Sequence, residues 1–315
     1  MKQTILIITV CIFFSSCSKN NTVLNKDELL TEEKTTISSL SKSKNGYEFQ
    51  VFDVPVEWGD NTTAYGNNNS GKMVGNYVTK NREVHGFIFA DGQFTDVFLP
   101  EAGKDYSGGL TDINDGSVSI GGFIYPKNID QNQVTHSFQR SATGIITILP
   151  DAAPGALLTE ALGVNNSGTI VGFYHDENSS RHGFIFSNGI YTTYDKPGAA
   201  RTLLMGINNQ GKIVGFYRDI NGVGRGFTLF NGITEDVVFP GAAETRPHGI
   251  NKTGQIVGEY IDNAGVTHGF LLENGKYSAL DFPGSFDTAL LGINDNGVIV
   301  GTYNGFSRGL IATPK

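Results

Sequence analysis

The sequence predicts an all-β fold, a six-bladed β-propeller, and three observations predict it. A V-G glycine recurs at Gly172, Gly215, Gly258 and Gly301, a step of 43 residues, with looser copies at Gly75 and Gly121/Gly122. A fixed period of this length is the signature of a propeller or a solenoid. Each unit carries four strand signals, rich in Val, Ile, Phe and Tyr and separated by Gly, Asn and Asp; no window shows a helical period. The ends are permuted. The sixth unit stops at Ile311-Ala312 without a fourth strand, and a surplus one stands at Tyr47–Pro55, matching Lys276–Pro283. An N-terminal strand that completes the last blade closes a ring and leaves no broken edge, which an open solenoid does not require. The propeller spans about residues 47–315.

Within a unit, strand A approaches G-I-N (Leu203–Asn208), strand B carries V-G (Lys212–Tyr217), strand C carries G-F (Gly226–Phe230) and strand D follows (Ile233–Phe239). The A–B link is N-N-x-G or close to it, and the C–D link is Asn-Gly or Asp-Gly, as at Asn231-Gly232. Tight hairpins need positive φ, which these residues tolerate. Strand D ends at a proline, as at Pro197, Pro240 and Pro283, which suits an outermost strand at its exit.

Residues 1–16 read as an export signal, with a charged start and the apolar run Ile5–Phe14, too short to cross a bilayer. Phe14-Ser15-Ser16-Cys17 resembles the lipobox of bacterial lipoproteins, with Phe14 in place of the usual leucine. The resemblance implies that Cys17 is lipidated and anchors the chain in a membrane, and Ser18, where an aspartate would retain it at the inner membrane, favours the outer one. Residues 17–46, polar after Cys17, read as a flexible tether. Both cysteines lie at or before the lipobox, so the propeller has no disulfide and no thiol nucleophile.

The combination G-I-N-x-x-G-x-I-V-G-x-Y, H-G-F, N-G and D-x-P-G resembles the HAF-repeat family of bacterial extracellular proteins. The tripeptide stands as His85-Gly86-Phe87, His182-Gly183-Phe184 and His268-Gly269-Phe270, and departs at His136-Ser137-Phe138, Arg225-Gly226-Phe227 and Arg308-Gly309-Leu310. The resemblance implies an exported repeat protein and assigns no catalytic residue.

Six basic side chains at one repeat position fall in six different blades, so they cannot surround one ion, and arginine is no ordinary zinc ligand. A repeated scaffold bond is expected, with Asp53, Asp195, Asp236 and Asp281 as partners. Asp and Asn in the B–C links (Asp176, Asp219, Asp262) would suit Ca²⁺ but lack the spacing of a calcium loop. No metal or cofactor is therefore expected. The chain is acidic, net −8, which argues against a nucleic-acid partner; no Walker loop, nucleophile elbow or zinc spacing occurs.

Aligning the units on G-I-N separates positions that repeat from positions that vary. Thr62, Thr159, Thr202, Thr245 and Thr288 form a constant column, broken by Gly108, and should tie neighbouring blades. The alternating positions vary freely. Side chains alternate faces along a strand, so these are free to line a channel mouth on the face of the D–A and B–C links. That places Glu160, Arg201, Glu244, Arg246, His248 and Asp287 on one funnel, with Trp58, Asp105 and Tyr106 on its rim. Trp58 beside polar groups would make a ligand platform; the plainer alternative is that Glu244 pairs with Arg201 or Arg246. The expected function is a surface-tethered binding module for a glycan, peptide or envelope protein. The alternatives are an assembly subunit and a polysaccharide-acting enzyme with two of Glu160, Glu244 and Asp287 as acid and base, which requires carboxylates roughly 5–5.5 or 6.5–9.5 Å apart.

Overall fold

The computed structural model describes residues 37–98, 107–124 and 134–315. The leader, Cys17, Asp105 and Tyr106 lie outside the described residues. Six antiparallel blades follow the repeat, with inner strands A at Gly59–Asn67, Ser107–Ile113, Leu158–Val164, Ala199–Ile207, Glu244–Ile250 and Thr288–Ile293. Blades 1, 4 and 5 are separate four-stranded sheets, and blades 2 and 3 are joined by one parallel pairing, Leu158 with Thr135. The permutation closes the ring as expected. Blade 6 takes its strands A–C from Thr288–Ile293, Ile299–Tyr303 and Arg308–Pro314, and its fourth strand is Tyr47–Phe52.

The segment expected as a flexible tether, residues 17–46, contains a strand at its C-terminal end. Ile37–Lys44 pairs antiparallel with Tyr47–Phe52 as a fifth strand outside blade 6. Asn45-Gly46 turns the hairpin with positive φ at both residues, 50° and 81°. This is the chemistry of the C–D turns, where Asn231-Gly232 has φ of 51° and 78°. The segment ISSLSKSK shows no apolar alternation because an outermost strand is held chiefly by its backbone.

The V-G glycine seats a phenylalanine. Gly215 on strand B faces Phe227 on strand C, and a Cβ there would lie 2.6 Å from both the Leu203 carbonyl and Phe227 Cζ. Equivalent pairs are Gly75–Phe87, Gly121–Phe138, Gly172–Phe184 and Gly258–Phe270. All five rings are fully buried, each contributing about 1.5–3 kcal/mol. The apolar clusters run between blades: Val214 and Val237 of blade 4 pack with Ile250, Ile256 and Phe270 of blade 5.

Polar groups complete the seams. The threonine column ties blades as expected: Thr62, Thr159, Thr202, Thr245 and Thr288 accept the N–H of Val54, Ala152, Lys196, Phe239 and Phe282, each at the exit of the preceding blade. At the A–B turns, the Nδ2 of Asn68, Asn114, Asn165, Asn208, Asn251 and Asn294 each donates to the backbone carbonyl of the next asparagine, and Asn294 returns to Asn68. The ring is closed and its members are buried.

Candidate functional site

The inner strands surround a central channel, whose turn end opens into about 880 Å³ of space continuous with solvent. At its turn end stand Asn69, Asp115, Asn166, Asn209 and Asp295, linked around the axis by bonds such as Asn69 Nδ2 to Asp115 (2.9 Å) and to Asp295 (3.0 Å). The next layer is Tyr65, Thr111, Leu162, Met205, His248 and Leu291. Each of these precedes the glycine of G-I-N or its substitute, Asp112. The glycines allow adjacent blades to approach: a Cβ on Gly292 would lie 2.6 Å from the Tyr65 carbonyl. Asp112 projects a buried carboxylate into the space beside Gly66, where it accepts the N–H of Ile113 and Val164, both at 2.8 Å. Burial pushes its pKa up to about 7 against these two bonds. His248 is driven down to about 3 by burial and then by Arg246, and its buried Nε2 has no hydrogen-bond partner.

Toward the face of the D–A and B–C links the strands of blades 3–5 carry a cluster of charges. Glu244 opens strand A of blade 5 and is buried, paired with Arg246 on the same strand and with Arg218 Nη2 at 2.5 Å. Arg218 belongs to strand B of blade 4, Ile213–Asp219. Arg246 also reaches Glu259, its cross-strand neighbour, at 2.8 Å. Glu259 is buried, and its pKa is raised by burial against the pull of Arg246. Glu160, in blade 3, is buried and pushed up to about 7 by desolvation, with Arg181 opposing. Arg181 on strand C of blade 3 (Arg181–Ser187) donates through Nε to His175 Nε2 at 2.8 Å. Burial, then the charge of Arg181, hold His175 near 4, so it accepts that bond as a neutral ring. Arg201 faces Arg218 directly across the strand pair. Its pKa is lowered by burial and then by Arg218 and Arg181, and no hydrogen bond or ion pair from it exists among the described residues.

Of the residues expected on the funnel, His248 lines the channel, while Glu160, Arg201, Glu244 and Arg246 stand on the inner strands of blades 3–5 toward the link face. Glu244 pairs with Arg246, one of the two partners expected of it, and also with Arg218, which comes up from strand B of blade 4. Two other expectations change. Trp58 packs against Tyr77 of strand B and Phe94 of strand D (ring centroids 5.7 and 6.3 Å), joining the apolar core of blade 1 instead of a funnel rim. Its place resembles that of Phe239 on Tyr260 and Phe282 on Tyr303, stacked at 3.8 and 4.0 Å. Asp287 acts locally, since both carboxylate oxygens accept the Gly305 N–H at 2.9 Å and so fix the B–C turn of blade 6.

Arg181, Arg218 and Glu259 were not among the expected residues because only the inner strand was compared between units. The position after V-G varies as freely: Asn76, Phe173, Phe216, Glu259 and Thr302. The same comparison on strand B finds the ring and the carboxylate that support the cluster.

The other candidates are scaffold. His182 bonds Asp195 at 2.8 Å, His268 bonds Asp281 at 3.2 Å and Arg308 bonds Asp53 at 2.7 Å, each pair within one blade. Asp236 departs from this pattern and lies 3.6 Å from Lys196. Asp176, Asp219 and Asp262 each accept two backbone N–H groups of their own B–C turn, the usual work of aspartate in a turn.

No protein-family model and no curated protein matches the chain. Solved propellers do. An inactive virginiamycin B lyase from Staphylococcus aureus, with quinupristin, aligns at TM-score 0.51 and 15% identity over 85% of this chain and 99% of that one. AofleA from Arthrobotrys oligospora aligns at 0.51 and 12% over 86% of each. TolB from Acinetobacter baumannii aligns at 0.53 and 12% over 78% of this chain and 64% of that one. Likeness at such identity shows the fold alone. The class is therefore a six-bladed β-propeller with a charged, asymmetric channel.

Proposed function

We propose that the protein is a lipid-anchored binding module of the bacterial envelope that takes a small ligand at the link end of its channel. One observation carries the reading: four half-buried arginines and three buried glutamates crowd the link end of blades 3–5, against the symmetry of the repeat. Scaffold positions repeat, and a costly charged cluster confined to part of the ring needs a reason other than the fold. The address rests on the export signal, Cys17, Ser18 and the resemblance to HAF-repeat extracellular proteins. Binding is favoured over hydrolysis because, of the three carboxylates expected as acid and base, Glu244 is tied to Arg246 and Arg218 and Asp287 to the Gly305 N–H, which leaves Glu160 without a second.

The test is a thermal-shift and calorimetric screen of the full-length protein against glycans, peptides and Ca²⁺, since a ligand of the native state raises Tm by mass action. A ligand that raises Tm and loses affinity in Leu203→Glu, which obstructs the channel, supports the reading. A broad screen without a shift overturns it in favour of an assembly subunit. For the anchor, Cys17→Ala is expected to move the protein from the membrane to the soluble fraction; an unchanged distribution counts against lipidation.

A further inference from the structure

Resting on that reading, we propose that the ligand is an organic anion, with a carboxylate or phosphate held by Arg181, Arg201 and Arg218 and an apolar body lying along the channel wall of blades 3 and 4.

The charges around the cluster do not balance locally. Glu244 and Glu259 are occupied by Arg218 and Arg246. Arg181 and Arg201 lack a carboxylate within ion-pair distance among the described residues, and Arg201 has no polar partner there at all. Arg201 and Arg218 oppose each other directly across two strands, where like charges are destabilising. A fold does not gain from three mutually repelling guanidiniums at one place. An anion that bridges them would relieve the repulsion with charge-assisted hydrogen bonds, for which the guanidinium fork is suited.

The guanidiniums are also held in place. Arg181 lies over Phe173 at 5.8 Å, and Arg218 over Phe216 at 5.6 Å. Arg246 covers the same Phe216 ring at 5.6 Å. A ring face that carries the flat side of a guanidinium leaves its N–H edge free to donate: among the described residues Arg181 spends only Nε, on His175, whereas Arg218 also donates to Glu244 and, through Nη1, to the Gly222 carbonyl at 2.8 Å. Phe173 and Phe216 stand at the freely varying position of strand B, so the repeat does not explain them.

Beside the arginines the wall is apolar. Leu158, Leu162 and Phe173 form a buried cluster with Leu203 and Met205 packed against it. Leu162 and Met205 line the channel. The cluster joins the inner strands of blades 3 and 4. A charged head next to such a surface selects an amphipathic ligand.

The experiment titrates the full-length protein with hexanoate, hexyl phosphate, their uncharged counterpart hexanamide, and inorganic phosphate, reading heat and Tm. Hexanoate or hexyl phosphate should bind at least about tenfold more tightly than hexanamide, the loss expected for a missing charge-assisted bond. The better of the two identifies the head group. Arg201→Ala should weaken that anion by about tenfold or more without lowering the ligand-free Tm, and Arg201→Lys should restore part of it. Equal binding of anion and amide, or binding unchanged in Arg201→Ala, overturns the proposal. Inorganic phosphate binding as tightly as hexyl phosphate overturns the apolar body. A neutral glycan that binds the channel while no anion does overturns this inference and leaves the binding module standing; no ligand of any kind sinks both.

Discussion

At the turn end of the channel, six asparagines occupy one position in six blades, and each does the same thing: its amide reaches the next blade's carbonyl until the circle closes. At the link end of the same channel, the rows three and five residues before the glycine of G-I-N hold Thr, Gly, Glu, Leu, Arg, Ala and Asn, Ser, Leu, Arg, Glu, Asp. Their charges gather on blades 3–6, where some are paired and some are not. A ring that must close imposes one solution on every blade, because a single unmade hydrogen bond leaves a buried carbonyl unsatisfied. The link end carries no such demand. Repetition marks what the fold needs, and departure from repetition marks what the fold leaves free.

Arg246→Ala tests that division most severely, because Arg246 departs from the repeat and yet is bound into it. Glu259 would be left buried without its partner and Glu244 with Arg218 alone, and stranding a buried charge costs about 3–5 kcal/mol. Urea unfolding of the purified variant should show a loss of that order. A loss below about 1 kcal/mol would mean that the pair is solvated and the cluster less closed than its geometry indicates. Arg201→Ala, by contrast, should be neutral or stabilising, since it removes a guanidinium facing Arg218.

Asn294→Ala attacks the turn end at the seam where blade 6 meets blade 1. It removes the donor to Asn68 O at 3.0 Å and the acceptor for the Asn296 and Val298 N–H groups. The expected cost is about 2–3 kcal/mol, the range for buried groups left unsatisfied. The same substitution at Asn166, exposed and outside the closed ring, should cost less than half as much. Equal losses would show that the ring has no special standing.

Most of the scaffold was legible from the residues. Permuted ends predicted the closure of blade 6, the threonine column predicted the inter-blade bonds, and the paired His and Asp columns predicted bonds such as His182–Asp195. Each rests on a position that recurs, and recurrence is visible without coordinates. The strand Ile37–Lys44 was not legible, because its polar sequence takes strand geometry from the Asn45-Gly46 turn and from its neighbour. Trp58 misled by being the only tryptophan: composition cannot say whether an aromatic faces a ligand or, as here, a tyrosine of its own blade. The asparagine ring was hidden behind a sufficient local explanation, since N-N-x-G is also what a tight turn requires. Arg181 and Arg218 were missed because a site drawn from three strands cannot be read along one.

Asp112 and Glu160 sharpen the comparison through pH. Asp112 interrupts the glycine column and Glu160 stands in a row that varies, and burial raises both to about 7. The folded protein therefore binds more protons than the unfolded chain between about pH 4 and 7, so these groups lower stability as pH rises through that window. His175 and His248, lowered to about 4 and about 3, act in the opposite sense: the unfolded chain takes up their protons first, so stability rises with pH up to about 6.5. The two effects offset each other in the native protein. Asp112→Asn should leave the histidines less opposed, and the Tm of the variant relative to the native protein should climb between pH 4 and 7. Parallel curves would mean that Asp112 titrates normally and is not buried as a carboxylate.

The smallest effect belongs to the blades' outer pairs. Burial works against a charged His182, but the hydrogen bond and charge of Asp195, joined by Asp176, outweigh it and raise the pKa. That stabilisation is present in full below the ordinary histidine range and is lost as pH rises through the raised value. The ring also stacks on Tyr174, with centroids 5.1 Å apart, a contact that survives deprotonation. His182→Gln should therefore cost less than about 1 kcal/mol at pH 5, in line with partly exposed ion pairs, and part of that cost should persist at pH 8. If the cost vanished at pH 8, the position would serve charge pairing alone. The arginines at Arg225 and Arg308 would then be electrostatic equivalents of the histidines, and the stacking incidental.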